Sequence, residues 1–125
     1  MAVETPNSEL ATVRRILWAT DADVGEFLGF FTESTVFQMG NERVVGREAI
    51  TEWVGGYLAS VVGTTHEVLT MWQSDDGVAV RIDVTYRMKS GNSHTLPAMT
   101  HMKLDGDKLA HYLIFMDPTP VAADS

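Results

Sequence analysis

The chain is expected to adopt an α+β fold, with three N-terminal helices packed on one face of a mainly antiparallel sheet. Three features carry that expectation. Apolar residues recur at three- and four-residue spacing before Gly63 and at two-residue spacing after it. The second half is divided by the short polar turns "SDDG", "SGNS" and "DGD", and connections that short make neighbouring strands antiparallel. The chain's 125 residues, 45% hydrophobic and 21% charged, suffice for a sizeable core and match the globular average.

In chain order, Thr5-Pro6 supplies an N-cap and a first helical position. Leu10, Val13 and Leu17 follow at helical spacing, so a first helix ends near Ala19. Asp23 and Glu26 form a capping box for a second helix with Val24, Phe27, Leu28 and Phe31 on its apolar face. "STVFQM" reads as a short strand. In "GREAITEWVGGYLASVVG", Ile50, Trp53, Val54, Tyr57, Leu58 and Val61 mark a third helix, weakened by Gly55-Gly56. Four strands follow, at 65–73, 78–88, 94–104 and 108–116. Residues 1–4 and the Pro-rich 117–125 read as loose ends, leaving one domain over 1–125 with an ordered core of about 8–117.

The formal net charge is −8 and Lys and Arg are scattered, whereas phosphate-backbone binding needs a positive surface. Nucleic acid is therefore a poor partner. The absence of cysteine excludes disulfides and thiolate chemistry. "MAVETPNSEL" lacks a basic start and an apolar run, and no apolar segment approaches the roughly 20 residues of a membrane span. A cytoplasmic, membrane-free protein is expected.

One strand decides the functional reading. In "VAVRIDVTYRMKSG", Val80, Ile82, Val84, Tyr86 and Met88 share one side, and Ala79, Arg81, Asp83, Thr85 and Arg87 the other. With Gly91-Asn92 as a two-residue hairpin turn, Asp83 falls opposite Thr100, Arg81 opposite Met102 and Thr85 opposite Ala98. That register places Arg81 and Asp83 on a partly apolar face, and leaves Ile82, Val84, Tyr86, Pro97 and Met99 on the other. Both faces then need covers: helices on one, a second subunit on the other. For the last hairpin two registers stand. A three-residue loop Asp105-Gly106-Asp107 puts Tyr112 and Ile114 on the Asp83 side and pairs His101 with His111 opposite. A two-residue Asp105-Gly106 turn brings His111 beside Thr100.

The element order, with "FTESTVFQMGNERVVGREAI", "RIDVTYRMKSGNS" and "MKLDGDKLAHYLIFMD", resembles the nuclear-transport-factor-2-like, SnoaL-like superfamily, over roughly residues 8–117. The resemblance implies an apolar pocket between helices and sheet. It also relates the chain to polyketide cyclases, ketosteroid isomerases and limonene epoxide hydrolase. In the last, an R-x-D on the pocket strand looks like Arg81 and Asp83. That family's second Asp falls on Ile114, and its water-holding Tyr and Asn fall on Phe37 and Met39. The isomerase base falls near Gln38 and its acidic oxyanion donor near Thr100.

The site expected from these readings has Asp83 as base or water-holder, Arg81 as its tuner, and Thr100 or His66 as auxiliary donor. Its walls come from Trp18, Phe37, Met39, Trp53, Trp72, Ala98, Met102, Tyr112, Ile114 and Met116, since pockets are lined by apolar and aromatic groups and methionine adapts to ligand shape. His66 is expected to point inward with Val68, Thr70 and Trp72. His94 is expected to be solvated. His101 and His111 lack a third ligand, so no metal site is expected. The expected function is cofactor-free isomerisation, cyclisation or epoxide opening on a small apolar polyketide-, terpenoid- or steroid-like molecule, in a homodimer formed through the outer sheet face. The competing expectation is a non-catalytic ligand-binding or dimerisation module.

Overall fold

The computed structural model describes residues 4–125, with side chains from Glu9 onward. The chain runs α1 (Glu4–Ala22), α2 (Val24–Leu28), β1 (Phe31–Met39), β2 (Glu42–Val45), α3 (Arg47–Tyr57), β3 (Val61–Ser74), β4 (Gly77–Met88), β5 (Ser93–Asp105), β6 (Lys108–Phe115) and α4 (Thr119–Ala123). One sheet has the order β2-β1-β6-β5-β4-β3. Only β1 and β6 pair in parallel; the other neighbours are antiparallel. The α+β, mainly antiparallel expectation holds.

Of the expected loose end 1–4, residues 1–3 lie outside the described residues, and Glu4 already belongs to α1, so the helix begins ahead of the expected cap at Thr5. α1 continues to Ala22 rather than stopping at Ala19. Asp23 caps α2, its Oδ1 accepting from the Glu26 N–H at 3.1 Å. Phe31 belongs to β1, because α2 closes at Leu28. α3 stops at Tyr57, and Val61 opens β3. β2 has no counterpart in the sequence reading. Four residues hold too little alternation to register as a strand. The expected loose end at 117–125 contains α4, held by buried Val121 and by a 2.7 Å contact between His94 Nε2 and Asp124 Oδ2. His94 is accordingly half-buried rather than solvated.

The decisive correction concerns the β4–β5 hairpin. Its loop is Lys89-Ser90-Gly91, closed by the Met88 N–H on the Asn92 carbonyl at 2.9 Å and the Gly91 N–H on the Met88 carbonyl at 3.0 Å. Gly91 has φ +97°, the left-handed position that a three-residue hairpin loop assigns to glycine. Asp83 therefore pairs with Pro97, not Thr100, and Thr100 pairs with Val80. Moving from Thr100 to Pro97 is a shift of three residues, an odd number, so the faces exchange. Val78, Val80, Ile82, Val84, Tyr86 and Met88 are all buried under the helices with Ala98, Thr100 and Met102. Arg81, Asp83 and Arg87 face outward.

The β5–β6 pairing carries its own irregularity, between Lys103 and Leu104 of β5. It sets Thr100 opposite Ile114 and Met102 opposite Tyr112, so Tyr112 and Ile114 join the inner face. His101 and His111 are on the outer face, Nδ1 to Nε2 at 2.8 Å, though diagonal rather than directly paired.

Candidate functional site

An apolar cavity of about 60 Å³ lies between the inner sheet face and the helices. Phe37 and Met39 enter it from β1, Trp53 and Tyr57 from α3, Tyr112 and Ile114 from β6, and Met116 from just beyond β6. Trp53 stacks on Tyr57, ring centroids 5.2 Å apart and planes at 11°, and Phe37 meets Tyr112 edge-on at 5.9 Å. The Trp53 indole N–H donates to Glu42 on β2 at 3.2 Å. Such contacts hold the wall aromatics in place.

Three polar features break this apolar surface. The first is His66 on β3, its side chain only 9% exposed. Its Nδ1 lies 2.6 Å from Asp21 Oδ1, at the end of α1. The same carboxylate accepts the His66 backbone N–H at 2.7 Å and the Thr64 hydroxyl at 2.8 Å. Burial pushes the Asp21 pKa up, but the hydrogen bonds and charge interaction with His66, with help from Thr64, leave it below the ordinary value. An ionised carboxylate only accepts, so Nδ1 carries the hydrogen; in the neutral ring Nε2 is then the nitrogen with the lone pair.

The second feature is a pair of phenols. The Tyr57 hydroxyl donates to the Tyr86 hydroxyl at 3.1 Å, and Tyr86 in turn has only the Met116 thioether, at 4.0 Å. Burial raises the pKa of both, with Tyr57 adding to the effect on Tyr86. Both stay protonated donors. The Tyr112 phenol, also lining the cavity, is raised by burial and by the Asp21 charge.

The third is Thr100. It is 1% exposed and its hydroxyl has no hydrogen-bond partner among the described residues. A buried hydroxyl left unpaired is costly, and this one lines the cavity.

His66 pairs across the strands with Val84, and Thr64 with Tyr86. His66 and Tyr86 are thus diagonal neighbours on the inner face, about 7 Å apart by sheet geometry. An imidazole and a phenol thus line the same apolar space.

Of the residues expected at the site, His66, Thr100, Phe37, Met39, Trp53, Tyr112, Ile114 and Met116 line the cavity. Arg81 and Asp83 do not. The hairpin register turns them outward, Arg81 between Thr70 and Met99 and Asp83 between Glu67 and Pro97. Trp18 is 48% exposed beneath the Arg15 guanidinium, 4.1 Å above its ring. Trp72 is 49% exposed on the outer face beside Ala79, because a bulge between Val68 and Thr70 changes the facing of β3. That bulge also turns Thr70 out, while Val68 stays on the inner face opposite Ile82. Ala98 and Met102 share the inner face but are covered by packing. Asp21, Tyr57, Thr64 and Tyr86 are the additions. A Tyr at inner-face spacing and an Asp two residues before a helix cap carry no distinguishing signal until α1 is laid against β3. Among the described residues no three His, Asp or Glu side chains gather as metal ligands, and no helix is long and apolar enough to cross a membrane.

Helices closing one side of a curved six-stranded sheet around an apolar hollow define a nuclear-transport-factor-2-like cone fold. The SnoaL-like domain family matches residues 13–112, and the chain belongs to it. No curated protein matches it in sequence. Among solved structures it is similar to a candidate SnoaL-like polyketide cyclase from Shewanella denitrificans OS-217, at 16% identity, TM-score 0.79, covering 93% of this chain and 95% of that one. It is also similar to a protein with a ketosteroid isomerase-like fold from Catenulispora acidiphila DSM 44928 in complex with trimethylamine. There the identity is 16% and the TM-score 0.77, with 91% of each chain covered. TerC, co-crystallised with polyporic acid, matches at 12% identity and TM-score 0.78 over 93% of this chain and 96% of that one. At such identities the likeness is one of fold.

Proposed function

We propose that the protein is an acid–base enzyme that removes a proton α to a carbonyl in a small, largely apolar substrate, leading to isomerisation or cyclisation. The observation that carries this reading is that His66, paired with Asp21, lines an apolar cavity that Tyr86, its diagonal neighbour on the sheet, also lines. Nε2 of His66 takes the proton as the C–H bond breaks, and the electron pair moves through the new C=C bond onto the carbonyl oxygen. Asp21 stabilises the imidazolium formed. Tyr86, backed by Tyr57, donates to the oxygen as its charge grows. Returning the proton to a different carbon isomerises the substrate; attack of the enolate carbon on an internal carbonyl closes a ring. Thr100 offers an unpaired hydroxyl to a second substrate oxygen. The neighbouring structures obtained with trimethylamine and polyporic acid support a small-molecule site in this fold. Epoxide opening loses the residue pair that motivated it, since Arg81 and Asp83 are on the outer face.

The test is solvent-deuterium exchange at the α-carbons of 2-butanone in D₂O, followed by NMR. The wild type accelerates exchange; His66→Ala removes about 10²–10⁴-fold of the acceleration, and Tyr86→Phe about 10²-fold or more. Acceleration that survives His66→Ala contradicts the assignment. Binding of the ketone without exchange in the wild type supports the competing non-catalytic, ligand-binding module.

The same reading includes a homodimer through the outer sheet face. Its support is the exposure there of Trp72, Met99 and Phe115 on one side of the sheet.

A further inference from the structure

The cavity's size sets a problem. At about 60 Å³ it falls below the roughly 300–1,000 Å³ of ordinary small-molecule sites. A ketone of more than a few carbons does not fit inside it whole. Beside it, between the end of α1, α2, α3 and the start of β3, runs an open groove of about 460 Å³. Thr20, Val54, Leu58 and Thr64 line both spaces. Asp21 stands in the groove wall, and its partner His66 in the cavity wall.

We infer that this groove is the second half of the substrate site and receives an uncharged apolar tail whose carbonyl end reacts in the cavity, with Gly55 as the residue that keeps it open. The inference rests on the cavity being the ligand site. Val24 and Val62 line the groove and are 51% and 65% exposed, apolar surface that an aliphatic chain would cover. Among the described residues the only ionisable one in the lining is Asp21, whose carboxylate is already held by His66 and Thr64. The Arg87 guanidinium, which lies against the lining residue Gly63, donates to Thr65 at 3.0 Å.

Gly55 supplies the second line of support. Glycine is the poorest helix former apart from proline, and Gly55 stands in the last turn of α3, two residues before its end at Tyr57. A Cβ at this position would meet nothing within 4 Å, so neither crowding nor an unusual backbone requires glycine. Thr51 and Leu58, four residues before it and three after it, line the same groove. A side chain at position 55 would stand between them, in the groove.

The experiment compares 2-butanone and 2-octanone binding to the wild type and to Gly55→Leu, using methyl NMR. Met39 and Met116 report on the cavity, and Val24 and Val62 on the groove. In the wild type both ketones shift the methionine methyls, only 2-octanone shifts the valines, and it binds more tightly, by about fourfold for each methylene that enters. Gly55→Leu leaves the 2-butanone Kd within about twofold and reduces the advantage of 2-octanone by about tenfold or more. A chain-length advantage untouched by Gly55→Leu, or 2-octanone binding without valine shifts, overturns the groove. If neither ketone shifts the methionine methyls, the cavity itself is not the ligand site and the groove falls with it.

Discussion

An imidazole that gives one nitrogen to a carboxylate has only the other to offer a ligand, and that restriction makes His66 useful. His66 was legible in the sequence as a candidate because it sits at inward spacing on a strand. Asp21 was not, because it lies 45 positions away on a helix and nothing local announces the meeting. The depressed Asp21 pKa has a stability consequence. Its folded-state value lies below the unfolded one, so its stabilising contribution is complete above the unfolded pKa and is lost as pH falls through the folded value. Asp21→Asn is expected to remove that part of the acid-unfolding profile, measured by circular dichroism across the acid range. Thr100 tests the other polar feature. Replacing its unpartnered hydroxyl by the isosteric methyl in Thr100→Val is expected to raise stability by about 1 kcal/mol or more, measured by urea unfolding. If the hydroxyl serves the substrate, the same variant weakens ketone binding, so gain and loss arrive together.

At the scale of elements, type was easier to read than facing. The four long strands and the three N-terminal helices follow directly from apolar spacing, and their ends move by only a few residues. Facing depended on the length of one turn. "SGNS" admits a two-residue turn at Gly91-Asn92 or the observed loop ending at Gly91, and only the difference between them decides whether Arg81 and Asp83 face the cavity. The β3–β4 turn carries a glycine with less freedom to change. Gly77 has φ +133°, and a Cβ there would lie 2.4 Å from the Met102 carbonyl oxygen. Gly77→Ala is expected to cost about 1–3 kcal/mol in backbone strain alone, readable as a fall in the urea midpoint. α4 was invisible because five residues after a proline show no periodicity; a single buried valine holds it. Val121→Ala is expected to cost about 1.5–3 kcal/mol through lost burial and the space left behind, measured by the same unfolding experiment.

At the scale of the molecule, the sheet divides labour between its faces. The inner face closes a hollow with the helices, and the outer face exposes Trp72, Met99 and Phe115 among charged neighbours. If a second copy covers that face, Phe115→Asp is expected to shift the sedimentation coefficient from dimer to monomer without unfolding the chain. Unchanged sedimentation would place the subunit contact elsewhere. The general architecture was legible because helical and strand periods are segregated along the chain; the chemistry was not, because it is assembled across α1, α3, β3 and β4. The central claim is that His66 presents a neutral, lone-pair Nε2 to the cavity. It is tested most directly by ¹⁵N NMR of the His66 ring at neutral pH, with and without 2-butanone. The expected result is hydrogen on Nδ1, an Nε2 resonance typical of an unprotonated nitrogen that moves when ketone is added, and loss of the fixed tautomer in Asp21→Asn. Hydrogen on Nε2 alone, or an Nε2 resonance indifferent to the ketone, would contradict it.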